Sequence, residues 1–145
     1  MALHTGIRKS NILQLEWSYV NFTQKFITVL NPKNGKTNKI PMTDTLIRTL
    51  EPLPRTSKYV FPNPLTDKPY VDIRKAFNLV LKLAGIENLT FHAFRHTAAT
   101  RMVEKRIELV TVKDLLGHSE IKTTMRYAHP VPERKLQAIQ ALNNY

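Results

Sequence analysis

The chain has 145 residues, 42% of them hydrophobic, which suits one compact domain burying roughly two-thirds of the surface its unfolded form exposes. Lys and Arg number 22 against 11 acids, a net charge of +11 with a pI of about 10.1, so a nucleic-acid partner leads over a merely solvated basic surface. With no Cys, disulfides, thiolate metal sites and Cys nucleophiles are excluded; with no apolar run near the ~18 residues of a membrane span and no secretory signal core, a soluble, cytoplasmic protein without a membrane partner is expected.

In "HTGIRKS" Gly6 marks a turn, and Ser10 is placed to cap a helix carrying Ile12, Leu13, Leu15 and Glu16 into Trp17. "KFITVL" is β-branched and aromatic, and "NPKNGKTNKIPM" follows it, so the two read as a hairpin with a type I′ turn at Asn34-Gly35. Lys33, Lys36 and Lys39 crowd that hairpin. Leu46, Ile47 and Leu50 predict a short helix from Thr43, ended by Pro52 and Pro54, and "YVFPNP" is an extended piece or loop. From Asp72, the spacing of Ile73, Ala76, Phe77, Val80, Leu81 and Ala84 predicts a core helix stopped by Gly85. Helices follow at about Phe91 to Lys105, at Thr111 to Leu116 closed by Gly117, and from a Ser119 cap through Tyr127. After the break at "HPVP", residues Glu133 to Leu142 form a last amphipathic helix. Trp17 and the Phe residues read as core. The expected fold class is α+β: mostly α-helical, with a small antiparallel β-sheet near the N-terminus.

"FHAFRH" at positions 91 to 96 gathers basic side chains on one helix face. His92 and His96 stand at the i, i+4 spacing that can bind zinc, but the zinc-protease version needs a Glu where this chain has Ala93, and Arg95 opposes a cation. No metal is therefore expected, and His96 reads as a structural histidine donating to a backbone carbonyl. His92 and Arg95, at i, i+3, suit an anion better, because a guanidinium fork matches two phosphate oxygens. By itself an H-x-x-R pair is ordinary surface decoration.

The order of motifs changes that reading: Arg8 in "HTGIRKS", lysines on a hairpin, "HAFRH", "LLGHS" with His118, and "TTMRYAH" with Tyr127. Together they resemble the catalytic domain of the tyrosine recombinases, the phage-integrase family, from Thr5 to about His129. Taken singly, Tyr127 is also readable as a surface tyrosine, His118 as a cap beside Gly117 and Lys33 as a turn lysine. The resemblance places the two catalytic arginines at Arg8 and Arg95, the histidines at His92 and His118, and the nucleophile at Tyr127. Lys33 best fits the family's hairpin lysine, a general acid, with Lys36 competing. Asn11 and Ala93 depart from the acid after "R-x-S" and from "H-D-L-R-H", which bears on hydrogen bonding around Arg8 and Arg95. The resemblance implies strand cleavage and rejoining on double-stranded DNA through a 3′-phosphotyrosyl ester, with His92 taking the phenol's proton and no cofactor. It also implies a synaptic homo-oligomer, a tetramer on DNA in the full-length protein, and a preceding DNA-clamping domain that this chain lacks. Type IB topoisomerases share the chemistry, but the "LLGHS" spacing and the tail beyond Tyr127 favour a recombinase over them; a DNA-binding remnant that sits on phosphates without cutting is the rival reading from a different class.

Overall fold

The computed structural model of the protein describes residues 1–30, 37–128 and 132–144. Helix α1 (Ala2–Thr5) stops at Gly6, whose φ of 66° carries the chain into a turn that side chains with a Cβ disfavour. Helix α2 (Lys9–Leu13) starts after Arg8 and is shorter than its apolar spacing predicts; Ser10 lies inside it, and no side chain caps it. The reason is tertiary. The main chain beyond it is needed for pairing, because the Leu15 carbonyl accepts from the Val60 N–H and the Trp17 N–H donates to the Lys58 carbonyl. A single 3-10 turn, Trp17–Tyr19, then leads into the sheet.

Strands β1 (Val20–Asn21), β2 (Phe26–Leu30) and β3 (Thr37–Pro41) form an antiparallel sheet in that order. Val20 and Ile40 flank Ile27 in register, which aligns Ile27 and Ile40 on the buried face. The expected type I′ turn at Asn34-Gly35 lies outside the described residues. Helix α3 (Asp44–Leu50) begins at Thr43, whose hydroxyl accepts from the Leu46 N–H, and it buries Leu46 and Leu50 against Ile7, Ile12, Ile27 and Ile40. Trp17, Phe22, Phe61, Phe91 and Phe94 pack partly buried around this core.

Helix α4 (Arg74–Leu83) and its stop near Gly85 fall where the spacing places them, but it is not a core helix. Leu81 alone is buried along it, Phe77 meets Phe91 and Phe94 edge-on, and Val80 stays 60% exposed. Helices α5 (Phe91–Glu104), α6 (Leu109–Leu116) and α7 (Ile121–Met125) build a second core from Ala99, Val103, Val112, Leu116 and Tyr127. Ser119 does not cap α7; Glu120 occupies that position, without a side-chain bond. Helix α8 (Pro132–Gln140) continues into a 3-10 turn at Ala141–Asn144. Helix α1 packs on α5, and α6 touches α5, α7 and β3. Among the described residues no helix is long and apolar enough to cross a membrane.

Candidate active site

The C-terminal end of α6 is the meeting point. Gly117, at φ 61°, turns the chain out of the helix and leaves the Leu116 and Gly117 carbonyls directed at side chains from elsewhere. Arg95, on the second turn of α5, is only 4% exposed, and its guanidinium donates 2.6 Å bonds to the carbonyls of Leu116 and Gly6. One buried cation thus ties the first turn of the chain to the last turn of α6. Arg8, exposed, donates from Nη2 to the Gly117 carbonyl at 3.1 Å. Cations at a helix C-terminus are favoured by the carbonyl dipoles, which suits the two guanidinium groups gathered at this end of α6. None of the three ion pairs among the described residues involves Arg8, Arg95 or Arg126.

Each guanidinium carries five N–H donors, so two bonds to carbonyls leave Arg95 donors to spare. Burial, and then the charge of Arg8, lower Arg95 to about 10, and it remains charged at neutral pH. His118 follows Gly117 directly. Burial first, then the charges of Arg95 and Arg8, push His118 down to about 4, so the free protein holds it as a neutral imidazole at pH 7. Its Nδ1 lies 2.8 Å from Oγ1 of Thr124, a fully buried hydroxyl on α7, which fixes the ring. His92 is lowered too, by burial and then by His96 and Arg95.

Tyr127 sits just past α7 and is buried, its hydroxyl 2.7 Å from Nδ1 of His96. The rings of His92 and His96 meet edge to face at 4.6 Å between centroids. The structure therefore brings Arg8, His92, Arg95, His118 and Tyr127 to one locality. The reading of His96 is corrected: its Nδ1 meets the Tyr127 hydroxyl and not a backbone carbonyl, because Tyr127 packs into the second core within its reach. The sequence places His96 on the same helix face as His92, but nothing in its spacing points to Tyr127 as its partner. Thr124 carried no signal at all. Lys33 and Lys36 lie outside the described residues; strand β3, which follows them, is joined to α6 by the Asn38 side-chain amide donating to the Asp114 carbonyl. Lys39 lies over the Phe26 ring. Among the described residues no three His, Cys, Asp or Glu side chains cluster as a metal site.

The three-stranded antiparallel sheet and the helices that follow it are matched by solved integrase structures. The fold matches Tn1549 transposon integrase, solved in complex with a circular intermediate DNA, with a TM-score of 0.85 at 21% identity, over 97% of this chain and 56% of that one. The catalytic domain of bacteriophage HP1 integrase matches at a TM-score of 0.73 and 30% identity, over 96% of this chain and 76% of that one. Residues 1–134 match the phage integrase family, and the chain belongs to it. Relatives include a XerC-like tyrosine recombinase of Caldanaerobacter subterraneus subsp. tengcongensis, 30% identical over 99% of this chain and 48% of that protein, and the integrase of Salmonella phage P22, 31% identical over 90% and 38%. The chain spans about half the length of the curated relatives it matches.

Proposed function

We propose that the chain is the strand-transfer part of a site-specific DNA recombinase, cleaving and rejoining duplex DNA through a 3′-phosphotyrosyl intermediate. The observation that carries this reading is the cluster at the end of α6, Arg8 and Arg95 with His118, with no ion pair to either arginine among the described residues, beside a tyrosine hydroxyl held by an imidazole. A phosphodiester supplies the missing negative charge. As Tyr127 attacks phosphorus, its Oη–P bond forms, the bond from phosphorus to the 5′-oxygen breaks, and charge grows on the two non-bridging oxygens. Spare donors on Arg8 and Arg95, together with His118 Nε2, are suited to those oxygens, each donor being worth roughly 3–4 kcal/mol. The departing 5′-oxygen needs a proton, which an arginine cannot give, and Lys33 is the general acid we assign. His92, one helical turn before His96, belongs to the proton-handling side of the site. Because the ester keeps the energy of the cleaved bond, no nucleotide cofactor is required.

The solved relatives described as bound to DNA, and the +11 charge of this chain, support double-stranded DNA as the partner. Leu136, Ile139 and Leu142 are exposed along α8 and the turn after it, an apolar stripe that supports self-assembly into the synaptic homo-oligomer. The test is a nicked suicide duplex incubated with the protein in excess EDTA. A denaturation-resistant protein–DNA adduct is expected, since guanidinium groups carry the charge that metal ions carry in other nucleases. Duplex binding without any adduct would leave only a DNA-binding remnant.

A further inference from the structure

We propose that His96, through Nδ1, is the group that takes the phenol proton of Tyr127 during attack on the phosphate. This rests on the recombinase reading and adds to its machinery a residue outside the arginine, lysine, histidine and tyrosine set carried over by resemblance. A proton acceptor must lie within about 2.6–3.2 Å of the proton's heavy atom, and His96 Nδ1 lies 2.7 Å from Tyr127 Oη. No other hydrogen-bond partner of that hydroxyl occurs among the described residues. Tyr127 is 8% exposed, its ring packed in the second core.

The other two imidazoles are differently engaged. His118 Nδ1 is held by Thr124 Oγ1, and the ring serves the phosphate side of the site. His92 touches His96 ring to ring, with no bond to the tyrosine among the described residues. His96 is thus the imidazole in direct contact with the phenol. For Nδ1 to accept, Nε2 carries the ring hydrogen.

In the forward step the Tyr127 oxygen bonds to phosphorus while its proton passes to His96 Nδ1; the 5′-oxygen leaves and is protonated by the general acid. In rejoining, the 5′-hydroxyl attacks, its proton returns to that acid, and His96 gives its proton back to the departing phenolate. Electron pairs and protons balance within the protein and the DNA, and no other reactant is needed.

The experiment compares wild type, His96→Asn and His96→Ala on a nicked suicide duplex carrying a 5′-bridging sulfur, whose departure needs no protonation. Asn places an amide where Nδ1 stands, keeping a hydrogen bond to the phenol but unable to take its proton. Folding and duplex affinity are measured alongside. Expected are duplex affinity within about threefold of wild type, adduct formation slowed about 10²-fold or more in both variants even with the sulfur leaving group, and partial recovery of His96→Ala by added imidazole. Variants that fold and form adduct within about threefold of wild type would overturn the assignment, and faster variants would make His96 a latch that holds the nucleophile back. Equal slowing that the sulfur substrate abolishes would place His96 on the leaving-group side instead. An absence of adduct from wild type would be a failure of the recombinase reading itself, distinct from all three.

Discussion

A guanidinium at Arg95 does two jobs that a lysine cannot share, because a planar fork reaches two carbonyls at once while an ammonium is a point charge. Arg95→Lys is expected to lower thermal stability, since a hydrogen bond from a charged group is worth roughly 1.5–3 kcal/mol and at least one is lost. The same variant should cut adduct formation by about 10²-fold, as removal of one oxyanion donor does; a variant with wild-type melting and cleavage would show that neither carbonyl bond matters. His118 makes a pH prediction. Its value of about 4 in the free protein lies below the ordinary 6.5, so between those two pH values the unfolded chain binds a proton that the folded chain does not. The stability tied to its neutral form is therefore complete above about pH 6.5 and is lost as pH falls toward 4. A phosphate beside the ring opposes the arginine charges and raises the value, so duplex binding should take up a proton and tighten as pH falls from 7 toward 5. Imidazole NMR titration of His118 with and without duplex checks this, and an unmoved titration would mean that no phosphate lies next to it.

At the scale of elements, two glycines carry unequal burdens. A Cβ on Gly117 would meet nothing nearer than an Arg8 nitrogen at 3.8 Å, so Gly117→Ala costs the left-handed conformation alone, about 1–2 kcal/mol. A Cβ on Gly6 would come within 2.5 Å of Leu116 Cδ2, a side chain itself 2% exposed, so Gly6→Ala adds overpacking of about 1–3 kcal/mol and disturbs the carbonyl that Arg95 uses. Denaturant midpoints should rank Gly6→Ala well below Gly117→Ala; the reverse order would contradict the packing at Leu116. Much of this scale was legible in the sequence, since the hairpin strands, the start of α3 at Thr43, and the Gly85 and Gly117 stops are all local signals. Helix α4 marks the limit. Its periodicity fixed a helix, but burial depends on what lies opposite, and only the Phe77–Leu81 seam finds partners while Leu79, Val80 and Leu83 face outward. In the site, H-x-x-R and L-L-G-H were readable as local strings. The contacts that assemble them, Arg95 to Gly6 across 89 positions and His96 to Tyr127 across 31, follow from packing that no spacing rule contains.

The molecule as a whole is a +11 body in which Arg8, Arg95 and Arg126 have no acidic partner among the described ion pairs. Duplex affinity should fall steeply with salt, with a log–log slope steeper than about −3, as the release of several counterions requires. A flat response would move the binding surface away from the basic charge. The central claim is narrower than binding: Tyr127 makes the bond to DNA. The direct measurement is protease digestion and mass spectrometry of the adduct trapped on a nicked suicide duplex, for wild type and Tyr127→Phe. The account predicts a 3′-phosphonucleotide on the peptide containing Tyr127, and in Tyr127→Phe no adduct with duplex affinity nearly unchanged. An adduct that persists in Tyr127→Phe, or one mapped to another tyrosine such as Tyr145, would contradict it.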